Sequence, residues 1–563
     1  LGKNKTIMPE KLSFGILCNS LMLEQWQVDV IDQLRNHGVE LKLIVVKAPG
    51  PGSQAGSGIR SKTDKLFTHK ALFYFFDRRL FHPVSKKIID YSIKSAGIQK
   101  LSCLIVKIKY RSLFQEQDLD KIRKAKLDFL LRFGFGIIGG EVLHVPRYGI
   151  WSFHHGDEMQ YRGGPPGLWE ILTGNPVSGA MVQRLTEHLD KGYILWKGWF
   201  KTQHHSYQEQ LDQLYFQSTH GPLQVCIAIQ NGTYSETLSE SNAPIYRVPH
   251  NRIYARFLVK LFWNRILFHY RKLFKTEDWN IGIIRKSIQN VIQSGWKPEE
   301  VQWFPKPVRF KYIADPFILQ TDGICRIYFE YFCYKKRKGD LFSIETETVR
   351  NFPQGITQSL QLTNHASFPF VFFQAGESFM IPETHLDNRI ALYRLNHDHK
   401  RFEYQCTLVD HVAGVDPVLC FHDNLWWLFF TRKELPSVHL YIYYSETLTG
   451  PYKPHLNNPV KSDIRSSRPA GALFSLNGML MRPAQDCSAH YGRRIILNRI
   501  TSLSPVDFRE IEHTPIEPRG DYYAKGLHTL NGNQSITVID GKEFRFICSD
   551  FLHELSRLII RKR

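Results

Sequence analysis

Nowhere in the 563 residues do two cysteines stand at C-x-x-C spacing; the nine are scattered from Cys18 to Cys548. An odd, dispersed set excludes a zinc knuckle or a disulfide framework, so no metal is expected and a reducing compartment fits best. No run of about 18 apolar residues occurs, so no transmembrane span is expected. The opening Leu1-Gly2-Lys3-Asn4-Lys5 holds no secretory apolar region, and the expectation is a cytoplasmic protein. No Gly-Lys-Ser/Thr follows the Gly/Pro/Ser stretch from Pro49 to Gly58, which removes a P-loop and leaves a surface loop. Acidic charge is in deficit, 53 Asp and Glu against 73 Lys and Arg, for a balance of +20. Such a surface attracts phosphate-bearing partners. Apolar residues, by contrast, make up 43% and aromatics 13%, enough for several cores, which excludes disordered, collagenous and coiled-coil chains.

Residues 12–47 read strand, helix, strand: Leu12 to Leu17 is apolar, Leu23 to Leu34 has helical spacing, Gly38 suits a C-cap and Val39 to Val46 is apolar. This opens a parallel sheet. Helical spacing returns from Lys65 to Lys94, and Leu127 to Leu131 is a buried strand running into a glycine-rich loop. There Gly134, Gly136 and Gly139 match G-x-G-x-x-G, but Pro146 limits the following helix to about two turns, too short for a dinucleotide crossover. Tyr207 to Asn231 looks helical, and Arg247 to Lys275 carries eight basic and no acidic residues among aromatics. Between Arg252 and Phe262 apolar and basic residues take separate faces, as in an interfacial helix, so a peripheral membrane contact through 252–274 stands beside a helix wedged between domains.

The densest constellation is Gly149-Ile150-Trp151-Ser152-Phe153-His154-His155, then Tyr161-Arg162-Gly163-Gly164-Pro165, Thr173-Gly174 and Leu189-Asp190-Lys191-Gly192. It resembles the folate-dependent formyltransferases over about residues 12 to 205, most of all their sugar N-formyltransferase branch. The resemblance implies a Rossmann-like α/β domain with 10-formyl-tetrahydrofolate as co-substrate. It also implies His154 as acid/base, Asp190 orienting the imidazole, and a folate-facing surface of Phe133, Gly134, Phe135, Gly136 and Ile137, flanked by Arg162 and Gly163. The family's Asn is Ser152 here, and loss of one oxyanion donor can cost ~3 kcal/mol of transition-state stabilisation. His154 suits the role because an imidazole titrates near neutrality. His155, His204 and His205 read as packing or surface residues.

From Trp279 the chain becomes short β-rich runs. Asp315-Pro316-Phe317, Phe368-Pro369-Phe370, Asp416-Pro417-Val418 and Arg468-Pro469-Ala470 place prolines 53, 48 and 52 residues apart, the period of a propeller blade. Leu527-His528-Thr529 is a fifth anchor, and the Trp279–Ile283 strand is available to complete the last blade. This half resembles the N-terminal domain of plant glucosamine inositolphosphorylceramide transferases and the propellers of arabinanase-like glycosidases. The expected funnel residues are Asp315, Glu330, Glu383, Asp416, Arg468, Arg482, Asp486 and His528. Carboxylates there suit glycan binding or glycosidic cleavage, and the arginines suit a bound phosphate.

The expected division is therefore an α/β domain over 1–205, a basic helical linker over 206–278 and an all-β five-bladed propeller over 279–563. The expected function is formyl transfer to the amine of an amino sugar, nucleotide-linked or in a glycan, with the propeller binding or processing the glycan and no nucleic-acid partner. The rival is a glycan-binding or glycan-cleaving propeller carrying a formyltransferase-like scaffold.

Overall fold

The computed structural model describes residues 11–49, 69–187, 192–307, 310–321, 323–396, 398 and 400–560. They form two compact units, Leu1–Ile266 and Leu267–Arg563.

In the first unit eight strands make one sheet. Their order is Thr237–Leu238, Tyr193–Lys201, Val177–Arg184, Ile150–His154, Phe129–Arg132, Ser13–Cys18, Glu40–Lys47, Gln99–Cys103. The last five run parallel, and Val177–Arg184 turns antiparallel to Ile150–His154. Ser13–Cys18 is buried at every position, the signature of a strand covered on both faces. Helix Gln25–Asn36 turns Trp26, Val30, Ile31 and Leu34 into one core with Phe14 and Phe129, and Gly38, at φ 80°, lets the chain reverse into Glu40–Lys47. The helix expected over 65–94 is shorter among the described residues: Ala71–Leu80 forms, the chain extends through Pro83, and Ile88–Asp90 pairs with Met22–Glu24.

Helices Tyr207–Phe216 and Gly221–Gln230 do not belong to a linker. Leu211, Tyr215, Val225 and Cys226 enter the same core as Phe14 and Trp26, so the α/β unit runs well past the expected boundary at 205. Only the basic helix Asn251–Phe274 crosses from one unit's residues to the other's.

The second unit is all-β apart from short helical turns, one short helix and the helix Cys548–Ile560. Five antiparallel sheets follow one another, four of them with four strands and one with five. The last combines ends of this unit: Thr276–Ile284 pairs residue by residue with Thr537–Arg545, as the available strand predicts. At the first three anchors the register skips, between Ala314 and Phe317, Ser367 and Phe370, and Val415 and Val418. Ahead of each proline, Asp315, Phe368 and Asp416 take φ of 55°, 46° and 48°, left-handed values in place of the extended backbone usual before proline. Such a conformation costs on the order of 1–3 kcal/mol. It also turns each amide out of its ladder toward a neighbouring carboxylate. Asp315 N donates to Asp540, Phe368 N to Asp315 and Asp416 N to Glu383, at 3.3, 3.2 and 3.1 Å. The anchor carboxylates thus have a structural use, holding one sheet to the next, that the sequence pattern does not disclose.

Candidate functional site

In an open α/β sheet ligands bind beyond the carboxyl ends of the strands, where the strand order reverses. Here that point lies between Ser13–Cys18 and Phe129–Arg132, since the chain builds outward from the first strand in one direction and then in the other. Three segments meet there: Asn19 after the first strand, the Phe133–Gly136 loop after the fourth parallel strand, and Ser152 with His154 at the end of the next. Gly134 is required by the approach, because a Cβ there would lie 2.7 Å from the Asn19 amide oxygen. Asn19 Oδ1 accepts the Phe135 amide at 3.0 Å, and the Phe135 carbonyl accepts Ser112 Oγ at 2.7 Å.

The register that opposes Ser152 to Arg132 sets the polar centre of this crevice. Arg132 Nη1 donates to Ser152 Oγ at 2.8 Å, and its Nε donates to the Gly136 carbonyl at 2.8 Å. One guanidinium therefore ties the loop to the strand that carries His154. Burial lowers its pKa from the usual arginine value, yet nothing near neutrality removes its charge. Two residues along, half-buried His154 faces the Tyr161 carbonyl with Nε2 at 3.0 Å. A carbonyl only accepts, so Nε2 donates in this contact. Next to it His155 is buried against Tyr215 and Trp26, its pKa pushed well down by burial, which makes it neutral packing.

In the second unit six of the eight expected funnel residues are two bonded groups, Asp315 with His528 and Glu383 with Asp416 and Arg468, and a further carboxyl, Glu330. His528 lies 3.0 Å from Asp315 Oδ1 and 2.7 Å from Asp540 Oδ2. Arg468 Nε donates to Asp416 Oδ2 at 2.6 Å, where Gln485 also donates at 2.7 Å, and the guanidinium covers the Tyr491 ring. His385 bonds Glu383 at 2.7 Å; against a burial that would raise it, this bond and Arg468 hold the Glu383 carboxyl at about 2. Glu330 goes the other way: burial, then the charges of Asp315 and Glu383, raise its pKa well above the carboxylate range.

Arg482 and Asp486 serve elsewhere. Arg482, fully buried, grips Glu510 with Nε and Nη2 at 2.7 and 2.6 Å and also donates to the Ser466 carbonyl at 2.6 Å. Asp486 takes Arg494 at 2.8 Å and the Ser488 amide at 3.0 Å. Both are internal ties.

Comparison with known proteins divides the chain at the same place. A family model described as formyl transferase matches residues 25–221. Residues 25–221 are a formyl transferase domain. A second model, described as the N-terminal part of glucosamine inositolphosphorylceramide transferase 1, matches residues 304–543. Among curated proteins, glucosamine inositolphosphorylceramide transferase 1 of Oryza sativa subsp. japonica is 32% identical over 232 residues, covering 39% of this chain and 30% of that protein. Methionyl-tRNA formyltransferase of Prochlorococcus marinus is 32% identical over 129 residues, 23% of this chain and 37% of that protein. A solved sugar N-formyltransferase from Shewanella is 13% identical, with 45% of this chain and 89% of that chain covered at a TM-score of 0.28. The chain thus spans about a third of the length of these curated relatives.

Within the formyl transferase domain the expected cofactor residues part company. Phe135 does not face a ligand: its ring is fully buried and stacks on Phe114 at 5.3 Å, so it holds the loop from behind. Phe133 is half-buried and Ile137 is 39% exposed, which leaves these two with Gly134 and Gly136 as the crevice side of the loop. Arg162 reaches the Ser241 and Ala243 carbonyls at 3.4 and 3.2 Å, while Gly163 pairs with Tyr246 so closely that a Cβ would meet its carbonyl oxygen. Asp190 lies outside the described residues. Sequence reasoning missed Arg132 and Asn19. The signal for Arg132 was one charged residue ending an otherwise apolar strand at a sheet's carboxyl edge.

The second unit's triad bears on metal binding. Ligand atoms of Asp315, His528 and Asp540 lie within 4.8 Å of one another. Burial alone would lower the His528 pKa, but the two carboxylates outweigh it and raise it from 6.5 to about 10. The imidazolium already offsets one of the two carboxylate charges, and a dication would first have to displace its proton. A raised folded-state pKa stabilises the fold in full below the ordinary value and loses that contribution as pH rises through the folded one. The melting temperature of the second unit is therefore expected to fall between pH 6.5 and about 10, as read by calorimetry. His528→Gln should flatten that slope; parallel profiles for the two proteins would remove His528 as its cause.

Proposed function

We propose that the first unit transfers a formyl group from 10-formyl-tetrahydrofolate to the amine of an amino sugar, nucleotide-linked or part of a glycan. The observation that carries the reading is His154 beside Ser152 and Arg132 at the switch point of a formyl transferase domain, its ring held by the Nε2 bond to the Tyr161 carbonyl. Phe133, Gly134 and Ile137 offer an apolar edge against which a flat pterin can lie. The neutral amine attacks the formyl carbon, the His154 imidazole takes the amine proton as the tetrahedral intermediate forms, and the same proton goes to N10 of the folate as that bond breaks. Atoms balance: the products are the formamide and tetrahydrofolate.

Ser152 takes over from the family's Asn through Arg132. Because Arg132 donates to Ser152 Oγ, the Ser O–H is polarised into a stronger donor for the developing oxyanion. Ser152→Ala is expected to lower kcat about 100-fold and Arg132→Met about 10-fold or more. The two together should cost no more than Ser152→Ala alone, since one acts through the other. Additive losses in a double-mutant cycle would place Arg132 outside this chain of donors.

An amino-sugar acceptor draws support from the second unit, whose curated relative is named for a glucosamine-bearing lipid. Its five sheets and the pairing of Thr276–Ile284 with Thr537–Arg545 support a closed five-bladed propeller that holds the glycan part of the substrate. The nine cysteines, all unpaired, fit the reducing cytoplasmic compartment we assign to the reaction. Calorimetric titration with 5-formyl-tetrahydrofolate tests the donor half. Saturable binding would sustain the reading and justify a screen of amino-sugar nucleotides; no heat at millimolar ligand would end it and leave the first unit a scaffold for a glycan-binding second unit.

A further inference from the structure

We propose that helix Asn251–Phe274 seats the protein on an anionic lipid bilayer, lying in the plane of the headgroups. The helix is apolar on two opposite sides. Tyr254 and Phe257, on one side, are fully buried and belong to the α/β core. At 100° per residue, Val259, Phe262, Trp263, Ile266, Tyr270 and Phe274 fall within one arc of about 120° on the other side. That stripe is open: Phe262 and Trp263 expose 60% and 57% of their surface, and the other four are exposed as well. Water-exposed Phe and Trp side by side on one stripe are costly unless something covers them.

Charge says what the cover is. Eight Lys and Arg and no acid stand between Arg247 and Lys275; Lys272 is paired with Glu554 and Lys260 donates to the Leu172 carbonyl, while Arg265 and Arg271 flank the stripe in exposed positions. A protein partner could match that charge only with an equally long acidic face, whereas an anionic membrane presents negative charge everywhere and an apolar layer just beneath it. Trp and Tyr on the stripe suit the headgroup boundary, where one end of the ring is apolar and the other wet. Crossing the membrane is not the alternative, since no described helix is long and apolar enough to do so. The C-terminal helix Cys548–Ile560 adds to the surface: Phe551 packs on Phe274 at 5.4 Å, and Leu552 is exposed beyond it. The inference does not depend on formyl transfer; if both hold, the reaction takes place at the surface that displays a lipid-linked glycan.

The test is co-flotation of the full chain with vesicles of phosphatidylcholine, alone or with about 30% phosphatidylserine. The protein should float with the anionic vesicles, at least 10-fold more weakly with neutral ones, and should be released as salt rises. The double substitution Phe262→Ser and Trp263→Ser should cut anionic-vesicle binding at least 10-fold with an unchanged melting temperature, because neither side chain is in the core. Absence of flotation with anionic vesicles at low salt would overturn the proposal. So would binding untouched by the double substitution, or a dimer in sedimentation that the same substitution abolishes, which would make a second copy the cover.

Discussion

In a His154→Ala variant, formyl transfer is expected to fall by about 10³- to 10⁴-fold while 5-formyl-tetrahydrofolate should still bind. The upper part of the range for removing a positioned acid/base is expected, because in the proposed mechanism the same imidazole takes a proton from the amine and returns it to N10. Binding survives because the crevice is held by groups that the substitution leaves alone: Asn19 on the Phe135 amide, Ser112 on its carbonyl, and Arg132 on Gly136. His154→Gln separates roles further, since its amide can still donate to the Tyr161 carbonyl but cannot accept a proton at neutral pH. Turnover as low as in the alanine variant would identify proton transfer as the loss; restored turnover would reduce His154 to a spacer and sink the assignment. The reading also requires His154→Ala to leave vesicle binding unchanged.

Arg482→Met should unfold the second unit at ordinary temperatures or come close to it. The guanidinium is fully buried and its removal leaves the Glu510 side chain, 3% exposed, with Lys461 at 2.7 Å as its one remaining cation among the described residues. Burial would raise the Glu510 pKa, but Arg482 and Lys461 hold it at about 2. Breaking one side of a buried pair typically costs ~3–5 kcal/mol, a large part of a domain's net stability. Replacing both partners, as Arg482→Met with Glu510→Leu, should recover much of the loss, since what is expensive is the charge left behind. Urea denaturation monitored by tryptophan fluorescence reads the difference. A single variant within about 1 kcal/mol of the parent would show that Lys461 and water satisfy Glu510 unaided. Since Glu510 has a depressed pKa, its contribution is present above its ordinary 4.5 and is lost as pH falls toward 2.

Several features were legible because they are written in local pattern. Apolar runs and helical spacing gave the βαβ opening, and four prolines at nearly equal intervals gave the succession of sheets. The spare strand at Trp279 to Ile283 signalled the pairing with Thr537–Arg545. The ordered motif from Gly149 to Gly174 carried the resemblance to formyl transferases, which the family match over residues 25–221 bears out. The boundary at 205 was misread because the helices after it have the composition of a connector, and only packing shows Leu211 and Cys226 inside the α/β core.

What the sequence by itself determined is which residue types are available and how often they recur: an imidazole on a buried strand, a carboxylate before a proline, a basic helix without acids. Tertiary structure decided what each one does. Arg132 meets Ser152 only because two strands twenty residues apart pair in that register. Arg482 looks like a ligand for phosphate until an outer strand brings Glu510 onto it. Asp315 looks like a catalytic carboxylate until the bulge at the next anchor hands it the Phe368 amide and the last sheet brings His528. The physical reason is the same in each case. A charge in a low-dielectric interior takes its role from whichever partner lies within about 3 Å, and contacts between distant segments are set by the pairing of strands rather than by spacing along the chain.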